Sequence, residues 1–168
     1  MLYLKAANLD DWEKEYDFIA NTPEDENGFT NSNFGCTKEE FKNLILPQFI
    51  DQSKGINLPN GYVPSTEYFL WDDDQIVGLF RIRHYLNDFL RDGAGHIGYG
   101  IRKEFRGKGY ATKGLKLTIE EALKIIPEDE IYMSVHKDNP ASLQVQLKNG
   151  AYIHHEDDKE YYTRIKKD

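Results

Sequence analysis

Cysteine is nearly absent from this sequence: Cys36 is the single one in 168 residues. One thiol excludes an internal disulfide and any multi-cysteine metal site, and no other residues suggest a metal. No apolar run approaches the ~18 residues that span a membrane. The opening residues, Met-Leu-Tyr-Leu-Lys-Ala-Ala, lack the basic-then-apolar order of a signal peptide. Positive charge is scarce too, with 21 Lys and Arg against 29 Asp and Glu and a net charge of −8. Such a chain is a poor general partner for nucleic acid, whose phosphates demand basic surface. Repeats and low-complexity blocks are also missing. The absences point to a soluble cytoplasmic protein with no nucleic-acid or membrane partner. The length fits one domain over residues 1–168, large enough to bury a core without staples.

What is present alternates between helical and strand periodicity. Residues 2–7 read as a first strand, and 9–20 as a helix with Trp12, Tyr16 and Ile19 on one face. Residues 21–36, with Pro23, Gly28 and Gly35, read as loop. Thr37 and Glu40 form a capping box that opens a second helix. Phe41, Leu44, Ile45 and Phe49 make its apolar stripe, with a kink expected at Pro47. Residues 54–64 are loop again. The segments 65–71 and 75–84 flank the turn Asp72-Asp73-Asp74 as a hairpin. In the second of these strands Phe80, Ile82 and His84 share one face, and Arg81 and Arg83 the other.

After a connection at 86–95, His96–Arg102 reads as a strand broken by Gly98 and Gly100, then a glycine-rich turn, then a helix to Ile126. Ala111, Leu115, Ile119, Ala122 and Ile126 form that helix's buried stripe. Ile131, Met133 and Val135 alternate in a fifth strand. Asn139 and Pro140 start a helix as N-cap and first residue. Leu143 and Leu147 are expected in its core face, and Gly150 ends it. Two final strands, 151–156 and 160–166, flank a charged turn. Adjacent His154 and His155 are expected on opposite faces of their strand, which argues against a metal pair. The order β-α-α-β-β-β-α-β-α-β-β is that of an α+β protein built on a mixed, mostly antiparallel sheet.

The strongest chemical signal runs from His96 to Thr112. A strand enters a glycine-rich turn, and the turn enters a helix. The first helical amides lack backbone partners and carry the positive end of the helix dipole, so they suit a phosphate. Residues 102–117 hold six basic residues against Glu104 alone, a net +5, which leaves −13 for the rest. A positive island on an acidic body suits one specific anionic ligand. The spacing is neither that of a Walker A loop nor of a dinucleotide fingerprint.

Arg106-Gly107-Lys108-Gly109-Tyr110-Ala111 resembles the Arg/Gln-x-x-Gly-x-Gly/Ala signature of the GNAT (GCN5-related) N-acetyltransferases. Asn139-Pro-Ala-Ser142, followed by Lys148-Asn-Gly150-Ala151, is similar to that family's second block, one helix and one strand downstream. The likeness covers residues 65–166 well and the N-terminal helices in layout only. The run from Gly95 to Arg102 resembles a branch of bacterial predicted acetyltransferases. The resemblance implies α/β/α layers with a V-shaped split between the fourth and fifth strands, His96–Arg102 and Ile131–Val135, occupied by acetyl-CoA as co-substrate. It implies the diphosphate on the amides of Arg106, Gly107, Lys108, Gly109, Tyr110 and Ala111, and the pantetheine arm along Tyr99, Gly100 and Ile101. A backbone amide near Tyr99 would polarise the thioester carbonyl. Asn139 and Ser142 would sit beside the pantetheine and the sulfur.

The implied reaction is direct transfer of the acetyl group to an amine: a small molecule, an amino acid or a peptide N-terminus. A lysine-like amine has a pKa of ~10.4, so a general base is expected. His96, where many relatives carry Glu, is the first candidate and His84 the second; the alternative for both is a structural histidine. Relatives commonly carry a Tyr acid where this chain has Gln146, so either Ser142 replaces it, with Tyr132 and Tyr99 as further options, or the thiolate leaves unaided. The acidic remainder of the chain favours a cationic acceptor. A non-catalytic acyl-CoA sensor is the second reading, and a homodimer stays open.

Overall fold

All seven strands expected from the sequence form, and they divide into two antiparallel sheets. The computed structural model describes residues 1–26 and 29–167, so Gly28 of the expected loop falls outside the described residues. The first sheet has β1 (Leu2–Ala6), β4 (Ser65–Asp72), β5 (Gln75–Arg83) and β6 (Ile97–Ile101), in that order. The second has β7 (Glu130–His136) and β8 (Tyr152–Glu156) on either side of β9 (Glu160–Lys166). One antiparallel bridge, Gly95 to Met133, joins the two. Beyond that point β6 and β7 diverge and leave a split.

Helices cover both faces of the first sheet, and a short one, α4 (Asp88–Arg91), stands in the 86–95 connection. α5 (Tyr110–Ile125) lies on the face that carries Phe80 and Ile82, and Leu115, Ala122 and Ile126 of its expected stripe are buried against them. α1 (Trp12–Asn21) and α3 (Leu46–Ser53) cover the other face, where Phe18, Phe41, Leu46 and Phe49 close over Phe69 and Leu79. A short 3-10 turn, Leu9–Asp11, precedes α1, because the Asn8 side chain accepts from the amides of Asp10 and Asp11. Among the described residues no helix is long and apolar enough to cross a membrane.

Four local expectations change. Residues 21–36 are not all loop: β2 (Asp25–Glu26) and β3 (Phe29–Thr30) pair there. The second helix starts on the expected capping box with α2 (Lys38–Glu40), but it is not one regular helix: Phe41–Ile45, ahead of Pro47, is a π turn leading into α3. Pro47 has no N–H and its ring crowds the carbonyl four residues back, and a widened turn accommodates both. The wider turn also rotates the apolar face, so Leu46 is buried and Leu44 is exposed. In α6 (Pro140–Lys148) the core face carries Gln146 and Val145, while Leu143 and Leu147 are only half-buried. Finally, a bulge between Ile153 and His155 in β8 brings the two histidine Nδ1 atoms to 2.8 Å, where regular alternation would have separated them.

Candidate active site

The split exposes one edge of β6. Arg83 donates its amide to His96 O, and Arg102 donates to Val77 O, so the even-numbered residues between them turn their backbone groups toward β5. Ile97, Tyr99 and Ile101 therefore turn theirs toward the split. A strand edge left open inside a protein is a template for one more extended chain. At its far end Arg106 Nε donates to Ile101 O. The space in front of this edge is a cavity of about 510 Å³ that runs from Ala94 and Ile97 to Ala111 and Thr112.

Where β6 ends, a 3-10 turn (Lys103–Phe105) leads to Gly107 and Gly109, with φ of +79° and +82°. Both are in the left-handed region that glycine tolerates. An added Cβ at either would meet nothing within 4 Å, so the turn is an open cradle. Gly109 is the N-cap of α5, a 16-residue helix, and the amides of its first turn face the cavity with Arg106, Gly107, Gly109, Tyr110, Ala111 and Thr112 in its wall. Tyr110 takes part through its backbone, since its hydroxyl bonds Asp72. Lys108 lies over the Phe105 ring, outside the wall. Open strand edge, left-handed cradle and helix start together fit an extended arm that ends in a diphosphate, so the residues present suit coenzyme A.

The third element is the start of α6. Asn139 caps it by accepting from the Ser142 amide at 3.2 Å. That places Ser142 Oγ 2.6 Å from the Tyr99 hydroxyl, with both residues in the cavity wall. Behind them Gln146 is 1% exposed. Its Oε1 accepts from Thr163 Oγ1 at 2.6 Å, and its Nε2 points to Ser134 O and Tyr99 Oη at 3.4 and 3.5 Å. Burial pushes the Tyr99 phenol above its usual range against the pull of Ser142 and Gln146, so it holds its proton. Gln146 thus stands behind Tyr99, outside the cavity wall. Tyr132 is also outside it, stacked under Arg164.

His96 and His84 are not in the wall either. The His96 ring is wholly buried. Its Nδ1 accepts the Tyr132 amide at 2.9 Å and its Nε2 lies 2.9 Å from Glu128 Oε1. An amide donor on Nδ1 requires the proton on Nε2, which makes His96 the neutral Nε2–H tautomer donating to Glu128. Burial holds its pKa below the usual value, outweighing the adjacent carboxylate. Burial also pushes Glu128 up, but the His96 hydrogen bond and the Leu86 amide, at 2.8 Å, together hold it below its usual range. His96 and Glu128 therefore pin β6, β7 and the 86–95 connection at the vertex of the split. Gly95 belongs to the same joint: its φ is +72° and an added Cβ would fall 2.2 Å from Tyr132 O. His84 Nε2 pairs with Thr66 Oγ1 at 2.8 Å, and burial holds its pKa down.

The wall opposite α5 is made of residues that motif reading passed over. Phe29 and Thr30 of β3, Arg81 and Arg83 of β5, and His136 and Glu160 of β7 and β9 line it. Arg81 Nε donates to the buried Glu67 at 2.7 Å, and its guanidinium lies 5.5 Å from the Phe29 ring centroid. His136 Nε2 is 3.6 Å from Glu160 Oε1. The only available signal was faint: two arginines alternating in an otherwise apolar central strand.

The fold and cleft are those of an acyl-CoA-handling transferase. The family profile for the acetyltransferase (GNAT) domain matches residues 2–152, and the chain belongs to that family, as an acetyl-CoA-dependent N-acetyltransferase. No curated protein sequence matches the chain significantly. Among solved structures it is similar to the ribosomal-protein-S5-alanine acetyltransferase of Vibrio fischeri, with TM-score 0.72, 19% identity, and 99% of this chain and 93% of that one covered. It is likewise similar to the Campylobacter jejuni N-acetyltransferase PseH in complex with acetyl coenzyme A, with TM-score 0.65, 16% identity and both chains covered in full at 100%. A probable acetyltransferase matches with TM-score 0.70, 18% identity, and 98% and 92% of the two chains covered.

Proposed function

We propose that this enzyme moves the acetyl group of acetyl-CoA directly to an amine in a ternary complex. The observation that carries the reading is the Tyr99–Ser142 hydroxyl pair, set where the open edge of β6 meets the start of α6. Bound acetyl-CoA supplies the acetyl group as a thioester and departs as the thiolate. The Tyr99 backbone amide, turned to the split, is the donor available to an acyl oxygen there. The Tyr99 hydroxyl accepts from Gln146 and donates to Ser142 Oγ, which frees the Ser142 proton for donation into the cavity. Ser142 and Tyr99 thus replace the tyrosine acid that Gln146 displaces. No covalent enzyme intermediate is involved: Cys36 packs among core aromatics outside the cavity wall, and burial pushes its thiol up.

The amine must lose a proton before it attacks. Within the cavity wall, His136 and Glu160 are the side chains able to take one. The His136–Glu160 pair therefore takes the role of base that the sequence alone gave to His96 or His84.

Acetyl-CoA binding by calorimetry, alongside CoA release over an amine panel, tests the reading. Micromolar binding with turnover on at least one amine class is expected. Binding without turnover on any amine would overturn it in favour of an acyl-CoA sensor, and absence of binding would overturn both.

A further inference from the structure

We infer that the amine acceptor carries a carboxylate, recognised by Arg83 with Arg81 beside it; the inference rests on the acetyl-transfer reading above. Arg83 lies in the cavity wall on β5. Among the described residues its guanidinium makes one hydrogen bond, Nη1 to Gly95 O at 3.2 Å, and that is to a neutral carbonyl. A guanidinium has five donors, so most of this fork is unused. Among the described residues no carboxylate lies within ion-pair distance of it. Glu67, the nearest acidic neighbour in effect, is already committed to Arg81 at 2.7 Å. Arg81 and Arg83 share one adjacent carboxylate, Glu67, which leaves that pair one positive charge in excess; the wall's own carboxylate, Glu160, stands beside His136. Burial and the adjacent Arg81 push the Arg83 pKa down to about 10, a sign of a cation held without its counter-charge.

A partly buried cation is costly unless paired. The Gly95 carbonyl could be served by a neutral donor, so the charge itself calls for a partner. The coenzyme's diphosphate is not that partner. Arg83 pairs with the His96 end of β6, whereas the glycine cradle lies beyond Arg102, six residue steps or roughly 20 Å of strand away. What reaches Arg83 enters from the side opposite α5, the side left for the acceptor. Arginine's planar fork matches a carboxylate in two parallel hydrogen bonds. The acidic surface of the chain had favoured a cationic acceptor; the local charge at this wall reverses that expectation.

The test is a matched acceptor panel with purified enzyme: L-phenylalanine and L-methionine, their C-amides, the dipeptides Asp-Ala and Asn-Ala, and spermidine. Wild type should show kcat/KM at least about 20-fold higher for a carboxylate-bearing acceptor than for its amide, because the amide cannot form the charge-assisted pair with the guanidinium. Preference for free amino acid over C-amide places the carboxylate on the amine's own carbon; preference for Asp-Ala over Asn-Ala places it on a peptide's first side chain. In Arg83→Met the preferred acceptor should fall to the level of its amide while acetyl-CoA affinity stays within about threefold. Arg83→Lys, which keeps the charge and loses the fork, should fall between the two and guards against a merely unfolded variant. Equal turnover of carboxylate and amide by wild type, or highest turnover on spermidine, overturns this inference while leaving acetyl transfer standing. Failure of acetyl-CoA to bind overturns both.

Discussion

The two walls of the cleft are built by different means. The cofactor wall is mostly backbone: the open edge of β6, the left-handed cradle at Gly107 and Gly109, and the first amides of α5. The acceptor wall is side chains drawn from β3, β5, β7 and β9, separated by up to about 130 residues of sequence. Backbone recognition needs glycines and a cap at fixed short spacing, and it serves any ligand with the same arm and phosphates. Side-chain recognition needs particular charges brought together by the whole fold, and it is where one acceptor can be told from another.

The sharpest way to break the comparison is at the backbone. Proline fixes φ near −65°, whereas Gly109 sits at +82°. Gly109→Pro should therefore misplace the first turn of α5 and abolish measurable acetyl-CoA binding by calorimetry, with circular dichroism still reporting a folded chain. Binding at wild-type affinity would remove the cradle from the cofactor wall.

Next in size are the two hydroxyls where the walls meet. Tyr99→Phe removes the donor to Ser142, and Ser142→Ala removes the proton that faces the cavity. Each should lower kcat by about 100-fold, the low end of general acid catalysis, and leave the acetyl-CoA Kd within about threefold. If both singles and the double lose the same factor, the two groups act as one relay. If kcat is unchanged in both, the thiolate leaves unaided and the relay is decorative.

The same contrast explains what could be read in advance. The β6–turn–α5 unit and the Asn139 cap follow from local rules of glycine conformation and helix ends, so they stand where the sequence put them. Leu115, Ala122 and Ile126 of the α5 stripe are buried because one helix face against one sheet is a local periodicity, whereas Ala111 and Ile119 are half-buried. His96 was legible as a strand residue at the split but not as a buried pin, because its partner Glu128 is 32 residues away and its tautomer depends on the Tyr132 amide. Gln146 looked like a missing acid; only its contacts with Thr163, Ser134 and Tyr99 show it as the support of another residue. The π turn before Pro47 exchanged Leu44 for Leu46 in an apolar face that otherwise kept Phe41, Ile45 and Phe49.

A smaller effect separates a hinge from a catalyst. His96→Ala leaves the Glu128 carboxylate and the Tyr132 amide without their partner in a buried joint. A loss of about 3 kcal/mol in urea unfolding is expected from two such orphaned groups. The shape of the kcat pH profile should not change; a lost limb would return His96 to the role of base. The stability itself should depend on pH with a defined sign. The folded pKa of His96 is depressed below the ~6.5 of an unfolded histidine. Its contribution is complete above pH ~6.5 and is lost as the pH falls toward the folded value, because the unfolded chain takes up a proton that the folded ring resists.

On the face of the first sheet away from α5, α1 carries a buried carboxyl. Glu15 is fully buried, and among the described residues its Oε1 has no hydrogen-bond partner. Burial raises its pKa to about 8, against the pull of the Asn8 amide on Oε2. An unfolded Glu titrates near ~4.3. Between those two values the folded state holds a proton that the unfolded state has released, so this contribution is full at low pH and declines as the pH rises. Below pH ~6.5 His96 and Glu15 thus slope against each other, and between ~6.5 and about 8 Glu15 slopes without opposition from His96. Glu15→Gln should flatten the fall in Tm across pH 6.5–8 while leaving acceptor selectivity and acetyl-CoA affinity unaltered. If the fall persists unchanged in that variant, its source lies in another group and Glu15 is ionised in the folded protein.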